Sequence, residues 1–181
     1  KAMAAEQGPG IYWAAVRGVM RKYVDEEVSA RYRALAAKPP GSLGRAYADY
    51  VERNGFSMPG EKGSPPEAIV FHDMTHILSD YDTTPREEIL VAAFSAGYSE
   101  TEPFNWLMFV LLQFQLGIQT APGVEPEYDM LDPDRLLEAI ARGAAMNRDL
   151  NEGWDYWAVI DEDVDVLRKR YGIRPEKRVD R

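Results

Sequence analysis

Val70-Phe71-His72-Asp73-Met74-Thr75-His76-Ile77-Leu78 is the stretch on which the reading turns, with Thr84-Pro85-Arg86-Glu87-Glu88-Ile89-Leu90 following after a polar break. The chain has two histidines, and both lie here, four residues apart. On a helix, residues four apart stand one turn above each other, so both imidazoles would leave one face. Each could then meet a single ion at about 2 Å from a ring nitrogen. The same geometry underlies the His-Glu-x-x-His zinc motif.

Working outward, Ser64-Pro65-Pro66-Glu67 has the spacing of a capping box. It predicts a helix that starts near Pro65 and carries His72 to Leu78. The run from Ser79 to Thr83 reads as a turn. Thr84-Pro85-Arg86-Glu87 repeats the capping pattern, with Pro at the favoured first helical position. The helix it opens would turn Ile89, Leu90, Ala93, Phe94 and Tyr98 inward. Glu88 would sit in its first turn and fold back toward the histidines across a helical hairpin.

The remaining chain has the same character. Val16, Met20, Tyr23, Val24 and Val28 recur at helical steps, predicting one helix from Ile11 to Ala37, ended by Pro39-Pro40-Gly41. Ser42 caps a second, with Leu43, Tyr47, Tyr50 and Val51 on one face and Gly55 at its end. Asp132-Pro133 opens a helix through Leu136, Leu137, Ile140 and Ala144, and Val164, Leu167 and Tyr171 mark a last one closed by Gly172. No alternating strand pattern and no repeat is present. The expectation is an all-α single domain, residues 1–181, of six or seven helices, with flexible tails at 1–10 and 174–181.

Composition narrows the function. A net charge of -9 and a pI near 4.8 disfavour nucleic acid, which requires clustered Lys and Arg. With no cysteine, disulfides, thiolate zinc ligands and iron–sulfur clusters are excluded, so a metal must use imidazole and carboxylate. The first residues lack a basic-then-apolar secretion signal, which makes the cytoplasm the expected compartment. Phe104 to Leu116 is the most apolar stretch but falls short of the roughly 20 residues a bilayer crossing requires. It reads either as a plainly buried helix or as the wall of an apolar groove built from Phe104, Trp106, Leu107, Phe109, Val110 and Phe114, with Tyr98 nearby. Peripheral contact with a membrane face and self-association are left open. The acidic run Asp161-Glu162-Asp163 with Asp165 reads as a solvated helix start.

His72, Asp73, His76 and Glu88 are therefore the expected ligands of one divalent ion. Asp73 lies about 100° around the helix from His72. From there it could bind the metal, orient a water or accept the second ring proton of an imidazole. Zinc, iron, manganese and cobalt all accept this donor set. A phosphohydrolase of the His-Asp type would require a further upstream histidine, and a zinc protease would require Glu where Asp73 stands.

His-Asp-x-x-His, eleven residues and then Glu resembles the signature of the coenzyme Q (ubiquinone) biosynthesis protein 4 family. Gly41-Ser42-Leu43-Gly44-Arg45-Ala46-Tyr47-Ala48, Asn54-Gly55-Phe56 and the stretch from Trp154 to Ile173 are similar to its flanking segments, so the likeness covers most of residues 30 to 175. The resemblance implies a mostly helical protein holding a divalent ion, zinc foremost, through His72, Asp73, His76 and Glu88, with Asp73 and Glu88 as candidate catalytic groups. It implies oxidative decarboxylation of a prenylated aromatic acid, in which a hydroxyl replaces the ring carboxylate, and a place among quinone-biosynthesis enzymes. Two rivals stand beside it: a non-enzymatic, metal-stabilised lipid-binding or assembly protein, and a tailoring enzyme acting on another aromatic or polyketide metabolite.

Overall fold

The computed structural model describes residues 24–64, 66–101, 103–121 and 124–176. Among them are seven α-helices and no strand: α1 (Glu26–Arg33), α2 (Leu43–Asn54), α3 (Val70–Ser79), α4 (Pro85–Tyr98), α5 (Phe104–Phe114), α6 (Pro133–Ala144) and α7 (Val164–Tyr171). They form a single all-helical domain, as expected.

Most helix boundaries obey local chemistry. The hydroxyls of Ser42 and Thr84 accept from the amides of Arg45 and Glu87, and the Asp132 carboxylate accepts from that of Arg135. Pro85 and Pro133 stand in the first turns, where a missing N–H costs nothing. Gly55 and Gly172 end α2 and α7 at φ of 66° and 74°, in the left-handed region.

Two boundaries differ from expectation. The helix predicted from Ile11 to Ala37 is not continuous. Asp25 is extended, donates its amide to Gly60 and caps α1 by accepting from Val28, so the helix starts at Glu26. After Arg33 the chain tightens into a 3₁₀ turn over Ala34–Ala37. Val24 is exposed, while Val16, Met20, Tyr23 and the tail 1–10 lie outside the described residues. The second difference concerns the histidine helix, which begins at Val70 after a 3₁₀ turn over Glu67–Ile69. No capping box forms, because the Glu67 carboxylate is taken by Arg31 and the Tyr32 hydroxyl while the Ser64 hydroxyl donates to Glu61. Pro65 lies outside the described residues.

The core is organised around α4, where Ile89 to Phe94 are all buried. This helix packs most extensively on α6 and next on α5. The α6 contact is close because both helices present glycine. A Cβ on Gly97 would stand 2.2 Å from the Ile140 oxygen, and one on Gly143 would stand 2.0 Å from the Phe94 oxygen. Beyond α7, Arg174 accepts from Arg142 and Glu176 pairs with Arg135, tying residues 174–176 to α6. Residues 177–181 lie outside the described residues.

Candidate metal centre

The hairpin of α3 and α4 brings the two histidines and Glu88 together. The Nε2 atoms of His72 and His76 are 3.2 Å apart. Glu88 reaches them with Oε2 at 3.4 Å from His72 and Oε1 at 3.5 Å from His76. One donor atom from each residue lies within 4.8 Å of the others, so the three could hold one metal ion. A tetrahedral ion with bonds of about 2.0–2.1 Å requires donor atoms roughly 3.3 Å apart. The two nitrogens are already that far apart, and each finds a Glu88 oxygen at nearly that distance, Oε2 for His72 and Oε1 for His76.

The protonation pattern fits as well. His76 Nδ1 lies 3.2 Å from the Tyr81 carbonyl, which can only accept, so Nδ1 carries the proton and Nε2 turns its lone pair toward the site. Two imidazole nitrogens facing each other at 3.2 Å repel unless a cation or a proton lies between them. Burial pushes Glu88 up, but hydrogen bonds and positive charge from His72 and His76 overcome it and hold the carboxyl at about 2. Burial lowers His76, and hydrogen bonds and charge from Glu88 outweigh it, so its net shift is upward. The adjacent glutamates part ways, since Glu87 is drawn to Arg135 on α6 at 2.7 Å.

Asp73, expected as a fourth ligand, stands beside this triad and outside it. Its carboxylate pairs with the Tyr47 hydroxyl of α2, and burial raises it against the pull of His72 and His76. Tyr47 and Tyr50 are both pushed above the usual phenol range, by burial first and by the Asp73 charge second. Tyr50 also stacks on His76 with ring centres 5.8 Å apart. Sequence reasoning placed both tyrosines only on a core face; their spacing with Leu43 and Val51 carries no sign of a polar task.

The far end of α3 is secured by two arginines that sequence reasoning did not single out. Arg168 of α7 donates to the carbonyls of Ile77 and Leu78, and Arg142 of α6 to that of Ser79. These carbonyls belong to the last turn, which has no partners within the helix. Arg142 is only 1% exposed and its guanidinium lies over the Tyr81 and Phe94 rings. A helix of ten residues is thereby held at its C-terminal end while its histidines face Glu88.

The surroundings are of two kinds. An open cleft of about 600 Å³ reaches His76 between α2, the end of α3 and α7, and its walls include Asp49, Arg53, Asp82 and Arg168. Neither His72 nor Glu88 lines it. On the other side, the Trp106 ring of α5 meets His72 edge-on at 5.3 Å. The expectation of a plainly buried α5 is corrected here. Leu107, Val110 and Phe114 are buried, whereas Phe104, Trp106, Met108 and Phe109 are exposed. One face of α5 packs on α4, while Trp106 reaches His72 of α3 and the exposed residues lie away from α4. No described helix is long and apolar enough to cross a membrane.

The acidic run near α7 is structural. Asp163 caps that helix, Glu162 pairs with Arg170 and Asp161 with Lys38. A scan against models of protein families finds no match to this chain, and a search of curated proteins finds none either.

Proposed function

We propose that the chain is a metal-dependent enzyme of the coenzyme Q biosynthesis protein 4 kind, which replaces the carboxylate of a prenylated aromatic acid with a hydroxyl. The observation that carries the reading is the three-residue set His72, His76 and Glu88, one protein ligand short of a closed tetrahedral site, which lies beside the exposed aromatic Trp106. The net change is loss of carbon dioxide and gain of a ring hydroxyl, a two-electron oxidation; with dioxygen as the two-electron acceptor it balances as aromatic acid, water and dioxygen giving phenol, carbon dioxide and hydrogen peroxide. A bound divalent ion would act as a Lewis acid on the substrate carboxylate and its neighbouring ring oxygen.

The chain's own residues have separable tasks. His72, His76 and Glu88 hold the ion, and the Tyr81 carbonyl keeps the His76 lone pair directed at it. Asp73, beside the site and pushed upward by burial against the pull of His72 and His76, is the proposed proton-transfer group. Trp106 offers an aromatic edge against which a ring substrate can pack.

The exposed apolar face of α5 supports a second reading, in which the protein carries a prenylated lipid or assembles quinone-biosynthesis enzymes and the metal serves the fold. The experiments separate them. Elemental analysis should find about one equivalent of a divalent metal in the purified protein and less than about a tenth of that in His76→Ala. The metal-loaded protein, with dioxygen, should release carbon dioxide from a prenylated hydroxybenzoate. Intact metal and bound lipid without turnover would favour the carrier, and equal metal in both proteins would remove the site.

A further inference from the structure

Helix α5 and the loop behind it form one surface with an unusual property. From Phe104 to Val124 there is no charged residue, in a chain where 28% of residues are charged. Phe104, Trp106, Met108, Phe109, Leu116 and Ile118 are between 46% and 59% exposed. They are held as one unit. Gln113 is buried and accepts from the amides of Thr120 and Ala121 while donating to Val124, and the Thr120 hydroxyl donates to the Phe109 carbonyl. Tyr128 adds to the surface by packing over Gly117, where a Cβ would stand 2.1 Å from its ring. The loop is therefore bonded to the helix and presents its apolar side chains on a fixed frame.

At the roughly 200 Å² that a large apolar side chain can bury, half-exposure of these seven leaves on the order of 700 Å². That exceeds the roughly 300–600 Å² of the largest patch on an ordinary monomer. It approaches the roughly 800 Å² that each partner contributes to a stable interface. Charge decides among the occupants. A membrane-lying face is rich in Lys and Arg, and this one has neither, in a chain of net charge -9. A face without charges can be laid against a copy of itself without burying an unpaired ion.

We infer that this face is a two-fold interface between two copies of the chain, with α5 of one protomer packed on α5 of its partner. Trp106 lies at its edge and touches His72, so the partner's α5 closes the apolar side of the metal centre. Each site is thereby bordered by the other copy, with its metal ligands all from one chain. The inference concerns assembly and does not depend on which reaction the metal supports.

Light scattering and sedimentation of the full chain at micromolar concentration test it. The expected mass is twice 20.5 kDa. Phe109→Glu and, separately, Met108→Glu should each give the single mass with unchanged helical circular dichroism and unchanged metal content. Leu137→Glu, at an exposed position of α6, should leave the dimer intact. A wild-type chain of single mass, or a dimer that survives both α5 variants, would overturn the inference. Flotation of the wild-type chain with neutral phospholipid vesicles, lost in Phe109→Glu, would also overturn it, since a membrane would then be the occupant.

Discussion

Helices α4 and α5 are neighbours in sequence and pack on each other, yet they use apolar residues in opposite ways. The first mixes Ala92, Ala93, Ser95 and Gly97 with a few large side chains and is buried on nearly every face. The second is a run of Phe, Trp, Leu, Met and Val and is buried on one face only. Burial here follows neighbours, and neighbours follow how closely a helix lets another approach. Gly97 and Gly143 allow α6 to lie against α4 backbone to backbone, and α5 has no glycine that would allow such an approach.

The contrast can be broken most severely at its closest point. Gly143→Ala would set a methyl group 2.0 Å from the Phe94 oxygen. The helices must separate, and denaturant unfolding should show a loss of about 3 kcal/mol. A loss under about 1 kcal/mol would mean that the α4–α6 contact is loose.

Next in size is Arg142→Ala, which leaves the Ser79 carbonyl without its donor and a void between Tyr81 and Phe94. About 2 kcal/mol should be lost. Arg142→Lys should restore little of it, since a single ammonium cannot span the Ser79 and Arg174 carbonyls that the guanidinium bridges.

The first turn of α4 holds the charged part of the comparison. The Glu88 carboxyl stands at about 2 in the folded protein against an ordinary 4.5. Its contribution is complete above 4.5 and is lost as pH falls from there to about 2. Acid titration of the metal-free protein should therefore show a loss in that window that Glu88→Gln lacks. His76 is raised above 6.5, so its protonated form stabilises the metal-free fold fully below 6.5 and the contribution disappears as pH rises through the raised value. Metal competes with that same proton, and its affinity should climb over the range in which the apo fold weakens.

The smallest effect should come from the outer face of α5. Phe109→Ser, measured on the dissociated chain, should lower unfolding free energy by no more than about 1 kcal/mol, because half the ring already faces water. A larger loss would show that the face is covered within one chain.

These differences also explain what could be read from residues alone. The hairpin and its three donors were legible because each part is local: a Thr-Pro cap, a four-residue histidine spacing and a glutamate in the next first turn. The start of α3 was not, since Glu67 met Arg31 and Tyr32, more than thirty residues away, before it could serve its own helix. Asp25 interrupted an apolar period in the same way, by finding Gly60 and Val28. Hydropathy identified α5 as apolar but carries no record of which side would meet α4. The placing of Asp73 against Tyr47 likewise depends on how α2 crosses α3, which no spacing within either helix contains.

The arginines at the end of α3 have a consequence for the order of events during synthesis. His72, His76 and Glu88 leave the ribosome together, within one short stretch of chain. Arg142 and Arg168, which fasten the histidine helix, emerge only after a further fifty to eighty residues. A nascent chain thus exposes the three side chains before the arginines that fasten their helix have been made.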